Sequence, residues 1–356
     1  MYSSHQLGRK AHRLARSPAT CDAPMQMTAK STRTHEPARR PLGTRDLVAG
    51  VDGGGTKTRA VIIDNNETVL GEGLAGPSNP LRVGVTNAAA GVRDALDRAC
   101  AAASVKRDEI AAMGVGLAGV RRKDIRTRMR EVLIATLGVK QIELVSDGDI
   151  ALAGATDGKP GVVVIAGTGS ICCGINARGR RVCAGGWGPM VGDEGGGSWI
   201  ARRALQAVAH ESDERGPRTA LTEAACAYFH VTVADDLSTA IYAPTITNER
   251  IAGFGKQVIE VARTGDPVAL EIVTDAGREL GRSAVAVIHK LRLEDERFQV
   301  AYVGGVFLAG ELILKPLRQG VARVAKKAFI APPAYPPAMA AARMARVLLN
   351  DLALAV

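Results

Sequence analysis

The sequence predicts an α/β protein built as two domains of like fold, each a mixed sheet flanked by helices. Three observations predict it. A strand–glycine turn–strand unit occurs twice, about 110 residues apart, the mark of an internal duplication and too long a period for a solenoid. Three strands in a row and then alternating helix and strand follow the first copy, the pattern of a mixed α/β layer. The 356 residues also exceed what one core fills, since single cores stop growing near roughly 250–300 residues.

In the first copy, the apolar run Leu47-Val48-Ala49 enters Gly50-Val51-Asp52-Gly53-Gly54-Gly55-Thr56-Lys57-Thr58, and Ala60-Val61-Ile62-Ile63 leaves it. β-branched residues favour extended chain and consecutive glycines a sharp reversal, so the stretch reads as a hairpin. A third strand over 67–75 completes a meander. A turn over 76–80, a helix over 85–99, a strand over 111–118, a charged helix over 123–137, a strand over 141–146 and a helix from 150 follow. The second copy is a strand over 161–166, the turn Gly167-Thr168-Gly169-Ser170, and strands over 171–176 and 181–184. Residues 185–198 are half glycine, which no core element tolerates, because each ordered glycine costs extra backbone entropy. Helices are expected over 199–210, 251–264 and 267–291, with Asp266 as N-cap and Pro267 as first helical residue of the last. A strand over 298–303 ends at Gly304-Gly305, and a final helix spans 338–354.

The expected domains are 46–158 and 159–337, with a helical insertion around 211–245 and the helix 338–354 packing back onto the first domain. Residues 1–45 carry nine Lys/Arg against Asp22 and Glu36, a charge of +7, so the remainder holds only +3 of the total +10. The basicity is therefore confined to a polar tail, read as disordered, and argues against a specific nucleic-acid partner. The tail has no apolar h-region of a secretory signal; an internal start at Met25 or Met27 and a transit peptide stay open. No apolar run reaches the ~18–20 residues of a membrane span. Six cysteines without C-x-x-C spacing read as small buried residues in a reducing cytoplasm.

Two glycine–hydroxyl turns on two like domains form a clasp for the phosphates of one nucleotide. Gly54 and Gly55 let backbone N–H groups reach an anion, Thr56 adds a hydroxyl, Lys57 adds a cation, and Asp52 could hold a metal through water. Gly167, Thr168 and Gly169 repeat the theme. Neither a Walker loop nor a dinucleotide fingerprint is present. Phosphoryl transfer needs a carboxylate that accepts a hydroxyl proton. Asp147 sits at the carboxyl end of a strand, where open α/β sheets place functional groups. Asp149 is better placed to cap the helix that follows, which leaves Asp147 for catalysis. Asp193 and Glu194 either cap the helix over 199–210 or act as ligands. Trp187 stacks on a sugar face or plugs the domain junction. Gly304-Gly305 lets a flat ring approach the backbone.

The ordered series Asp52-Gly53-Gly54-Gly55-Thr56-Lys57-Thr58, Ser78-Asn79, Gly116-Leu117-Ala118-Gly119, Ser146-Asp147, Gly167-Thr168-Gly169-Ser170, Gly186-Trp187-Gly188, Gly192-Asp193-Glu194-Gly195 and Val303-Gly304-Gly305 resembles the N-acetylglucosamine kinase family. That family shares its signature with the BadF/BadG-type ATPases and belongs to the sugar kinase/Hsp70/actin superfamily. The resemblance covers roughly 47–350. It implies duplicated actin-like ATPase (ribonuclease H-like) domains with ATP and Mg²⁺ in the interdomain cleft and closure on substrate. It further implies phosphate contacts from Thr56 and Thr168, Asp52 near Mg²⁺, and Asp147 as the base at the sugar 6-hydroxyl. Sugar contacts from Asn79, Ser170, Gly186, Trp187, Gly188 and Asp193, adenosine contacts from Ala252 and Gly304, and a cytoplasmic homodimer are implied in the same way.

One departure bears on the substrate. The mammalian-type N-acetylglucosamine kinases have Asn directly after G-T-G-S, where it contacts the sugar. Ile171 stands here and cannot make that hydrogen bond. Glucosamine or another amino sugar is thereby favoured more than the family name alone implies. The expected activity is ATP-dependent phosphorylation of N-acetylglucosamine or glucosamine at the 6-hydroxyl. The alternatives are an ATPase that activates a dehydratase or reductase partner and a sugar-sensing regulator.

Overall fold

A computed structural model describes residues 46–139 and 141–354. The basic tail expected at 1–45 lies outside them. No helix among the described residues is long and apolar enough to cross a membrane.

The chain opens with the predicted meander: β1 (Leu47–Gly53), β2 (Thr58–Ile63) and β3 (Val69–Ala75), antiparallel in that order. The short α1 (Pro80–Val83) and the long α2 (Val85–Ala103) follow. Then come β4 (Ile110–Leu117), α3 (Lys123–Leu137), β5 (Ile142–Ser146) and α4 (Asp147–Thr156). β4 and β5 add to β1 in parallel, giving the order β3-β2-β1-β4-β5. The buried Ala and Leu side of α2 (Ala88, Val92, Leu96, Ala99) and Met129 and Leu133 of α3 cover one face. The apolar residues recur at helical spacing and bury against Val51, Ile62 and Val115 of the sheet.

The second half repeats the plan. β6 (Gly161–Ala166), β7 (Ser170–Ile175) and β8 (Arg181–Gly185) form the second meander. The glycine-rich loop leads into α5 (Gly197–Ser212), and α6 (Leu221–Phe229) and α7 (Leu237–Ile241) form a small helical group. α8 (Asn248–Arg263) and α9 (Pro267–Leu291) are the long helices, and Asp266 caps α9 as expected, its side chain accepting from Ala269 N. β9 (Gln299–Val303), α10 (Glu311–Val324), β10 (Phe329–Ala331) and α11 (Pro337–Leu354) complete the chain. The second sheet runs β10-β9-β6-β7-β8, with β9 parallel to β6 and β10 parallel to β9. Written from its own first strand, this is the order of the first sheet, so the duplication read from the two glycine turns extends to the whole strand order.

Two helices stand apart from this repetition. α4 follows β5 of the first sheet, yet Ala151, Leu152 and Ala155 pack on Val163, Cys173 and Ala301 of the second. α11 returns to the first sheet, where Ala338, Ala342 and Ala345 meet Val48, Val61, Ile63 and Ala112. Gly50 of β1 and Gly114 of β4 allow that approach: a Cβ on Gly50 would overlap Ala338 O and Ala342 N, and one on Gly114 would overlap Ala341 O.

The sequence reading left 306–337 without elements, whereas α10 and β10 lie there. Pro316, inside α10, reads as a breaker, but it is buried against Gly277 of α9. Tertiary packing compensates for the backbone hydrogen bond it removes.

Candidate active site

The first glycine turn is closed by Gly54 N donating to Lys57 O at 2.9 Å. Thr58 is buried directly behind it, and its hydroxyl donates to Gly76 O at 2.6 Å. A second contact of 2.8 Å joins Thr58 Oγ1 to Ser78 Oγ. Ser78 N in turn donates to Gly54 O at 3.0 Å. A Cβ on Gly53 would overlap Ser78 Oγ. The turn is therefore pinned from below by two buried hydroxyls, while Thr56 and Lys57 face outward. Asn79 caps α1, its Oδ1 accepting from Leu81 N at 3.0 Å. Oδ1 also lies where a Cβ on Gly119 would be.

Asp147 is the first residue of α4, and the cap of that helix is Ser146, not Asp149. Ser146 Oγ accepts from Asp149 N at 3.2 Å, and Asp149 accepts from Ser146 N at 3.1 Å, a reciprocal capping box. Asp147 is not spent on capping. Its carboxylate accepts from the neighbouring Gly148 N at 2.9 Å. Burial pushes its carboxyl above the usual carboxylate range, with the Gly148 N–H opposing and Asp149 adding to the rise. Register explains its neighbour. Asp52 pairs with Gly116 across β1 and β4, and Leu117 pairs with Ser146 across β4 and β5. Two carboxylates thus leave the carboxyl ends of β1 and β5 with one strand between them. Burial and then Asp147 raise Asp52 to about 6, against Lys57 and Arg59.

In the second half, Gly167 N donates to Gly169 O at 2.9 Å. The start of α5 rests on this turn: Gly197 N donates to Gly167 O at 2.8 Å and Ser198 N to Thr168 O at 2.9 Å. Ser198 is buried, and its hydroxyl has no partner among the described residues. A Cβ on Gly196 would lie 2.6 Å from Gly169 C, so the glycines here serve backbone-on-backbone contact. Asp193 is 8% exposed and lies over Gly169, where its carboxylate would meet any Cβ. It accepts from Gly188 N at 3.2 Å and adopts a left-handed φ of 59°. Burial raises its carboxyl, with the Gly188 and Ser170 N–H groups opposing. Neither Asp193 nor Glu194 caps α5, whose N-cap is Gly196. Ser170 Oγ donates to Glu194 O at 2.7 Å and Gly186 N to Ser170 O at 2.9 Å, tying the two ends of the loop to β7. Trp187 is 76% exposed and plugs no junction. Ile171 lies against Gly186. Ala252 of α8 is buried against Gly197, and Gly304, at φ 121°, passes so close to Ala166 that only glycine fits. Gly305 beside it is exposed.

Sequence reasoning missed two groups. Arg82, at the end of α1, lies over Gly55 and is ion-paired with Glu249 in the first turn of α8. Arg121 lies near enough to Asp147 to lower its pKa. No local signal marks either; the capping box, by contrast, was readable as Ser146 and Asp149 three residues apart.

A family model for the BadF/BadG/BcrA/BcrD ATPases matches residues 49–345, from β1 to α11. The chain belongs to the BadF/BadG/BcrA/BcrD ATPase family. It is similar to an N-acetylmuramic acid/N-acetylglucosamine kinase of Clostridium acetobutylicum, 32% identical over 259 residues, 73% of this chain and 85% of that one. It is also similar to a glucosamine kinase of Vibrio cholerae, 30% identical over 244 residues, 68% and 80% of the two chains. A Chromobacterium violaceum protein of known structure, assigned as an N-acetylglucosamine kinase, superposes with a TM-score of 0.70 at 28% identity. That match covers 86% of this chain and 100% of the other. The duplicated strand order is accordingly that of the actin-like ATPase fold, and ATP is the nucleotide that membership in this ATPase family implies. Among the described residues of this ATPase, no cluster of three or more His, Cys, Asp or Glu could cage a metal. Asp52 and Asp147, two carboxylates with one strand between them, are groups of the kind that meet a phosphate-bound Mg²⁺ through water.

Proposed function

We propose that this ATPase-family chain is an ATP-dependent amino-sugar kinase that transfers the γ-phosphoryl group to the 6-hydroxyl of glucosamine or N-acetylglucosamine. The observation that carries the reading is the pair Asp52 and Asp147: two partly buried carboxylates of raised pKa at the carboxyl ends of β1 and β5, with Asp147 relieved of capping by Ser146. The two sequence relatives described above, both sugar kinases by name, favour it over a partner-activating ATPase or a sugar-sensing regulator.

In this reading Asp147 accepts the proton of the sugar hydroxyl as that oxygen attacks the γ-phosphorus. A carboxylate raised by burial is a stronger base than one in water, which suits the task. Gly54, Gly55, Thr56 and Lys57 on one side and Gly167, Thr168 and Gly169 on the other hold the phosphates through N–H, hydroxyl and ammonium donors. Asp52 would hold Mg²⁺ through water, and the ion supplies positive charge to the phosphate oxygens. Asn79, Ser170, Gly186, Trp187, Gly188 and Asp193 line the sugar side, and Ala252, Gly304 and Gly305 the adenosine side. Exclusion of water on closure directs the phosphoryl group to the sugar. The family resemblance adds a homodimer in the cytoplasm to this reading, and light scattering checks the dimer.

A coupled ADP-release assay tests the activity across glucosamine, N-acetylglucosamine, N-acetylmannosamine, muramic acid derivatives and glucose. ADP release that depends on an amino sugar is expected. Release indifferent to every sugar, or supported by glucose alone, overturns the assignment.

A further inference from the structure

Two cysteines outside the phosphate and sugar contacts stand opposite each other in the second sheet. Cys173 of β7 and Cys183 of β8 are register partners in an antiparallel pair. Their Sγ atoms are 2.7 Å apart, and both are free thiols. Directly opposed residues in such a ladder have Cα atoms roughly 4.5–5.5 Å apart. That range lies within the roughly 4.4–6.8 Å that a disulfide spans, so no backbone movement is needed to join them. Cys173 is buried and Cys183 half-buried, which makes Cys183 the sulfur that a small oxidant meets first. Cys172, one residue earlier, points into the opposite core and is fully buried.

We propose that Cys173 and Cys183 form a reversible disulfide, an oxidative modification site set beneath the start of α4. A peroxide is the oxidant. The Cys183 thiolate attacks one peroxide oxygen, the O–O bond breaks, and the departing oxygen takes up a proton to leave as water. Cys183 is then a sulfenic acid. The Cys173 sulfur gives up its proton and attacks Cys183 Sγ, the S–O bond breaks, and a second water leaves. In sum, two thiols lose two electrons and two protons, and hydrogen peroxide becomes two waters. The electrostatics agree with the division of labour. The hydrogen bond from Cys173 holds the Cys183 thiol below its usual value, against burial, and Arg121 adds to the effect. The same hydrogen bond raises Cys173.

The position gives the bond a target. Cys173 Sγ lies 3.0 Å from where a Cβ on Gly148 would be, directly under the residue that follows Asp147. β8 runs from Cys183 straight into Gly185 and the exposed Gly186-Trp187 turn. A cross-link would fasten that strand to β7. The chemistry is independent of which sugar the enzyme takes.

The test exposes the full-length chain to hydrogen peroxide, blocks residual thiols with iodoacetamide and maps cross-links by mass spectrometry without reduction. A linkage between the peptides holding Cys173 and Cys183 is expected, with loss of two hydrogens and reversal by dithiothreitol. Cys172 shares a tryptic peptide with Cys173, so variants decide between them. The linkage persists in Cys172→Ala and is absent in Cys173→Ala, where dimedone traps the sulfenic acid left on Cys183. A linkage through Cys172, or treated wild type with Cys183 unlinked, overturns the proposal. If Cys173→Ala does not fold, the wild-type map and Cys183→Ser, at the half-buried position, still decide it, because Cys183→Ser must abolish the linkage.

Discussion

Arg82 and Glu249 form an ion pair that joins the helix after the first phosphate turn to the first turn of α8, 167 positions later in the chain. Both side chains are about one-third exposed (30% and 33%), so the pair lies where solvent screens it and adds about 0–1 kcal/mol to stability. Its position matters more than its strength. Arg82 also covers Gly55, so the pair fastens α8 to the loop that would hold phosphate. Arg82→Ala is expected to leave the melting temperature within a few degrees of wild type and to lower kcat/KM for ATP several-fold. Thermal melts and ADP-release kinetics on the same preparations check both halves.

Asp147→Asn keeps the volume and the Gly148 contact but removes the basic oxygen. General base catalysis contributes about 10²- to 10⁴-fold, and kcat should fall by that order. ATP affinity measured by calorimetry should change by less than about threefold. Near-normal turnover would remove Asp147 from the mechanism.

The raised carboxylates set a pH dependence whose sign differs for rate and stability. Asp52 titrates at about 6 and Asp147 above its usual range. Both must be ionised to work, so kcat/KM should decline as pH falls through about 6. Folding runs the other way. The native state binds the Asp52 proton more tightly than the unfolded chain, so its favourable contribution is complete below the ordinary 3.8 and is lost as pH rises through about 6. Asp52→Asn should therefore raise the melting temperature at neutral pH while impairing catalysis, and should raise it little near pH 4. A variant less stable than wild type at neutral pH would refute this account of Asp52.

Gly50→Ala tests the closeness of α11 to the first sheet. The added methyl meets backbone atoms of Ala338 and Ala342, which cannot rotate away as a side chain would. A loss of about 1–3 kcal/mol is expected from overpacking. Gly76→Ala, which meets nothing, provides the control, and urea denaturation reads both.

The elements legible in the sequence were those with a local cause. β-branched runs around glycine marked both hairpins, and Asp266-Pro267 marked the start of α9. α10 was hidden because Pro316 breaks helices unless packing compensates, and the compensation comes from Gly277 on a distant helix. β10 is only three residues long and offers too little alternation to read. At the site, Asp147 was legible from its place after a strand, whereas Ser146 was overlooked as its cap in favour of Asp149. Arg82 and Glu249 could not be paired from sequence, since nothing local brings a charge from one half to the other.

The return of α11 to β1 and β4 has a consequence for the order in which the protein can be made. Synthesis delivers β1 early and α11 after nearly every other element. Ile150 of α4 covers Gly116 at one end of the α11 side of the first sheet. Until α11 arrives, however, the part that carries Gly50, Gly114, Val48 and Ala112 lacks the helix that packs on it. The first half therefore cannot finish folding as it leaves the ribosome. The nascent chain holds an open apolar face through the synthesis of the entire second half, and a chaperone that recognises extended apolar strands has that whole interval in which to bind it.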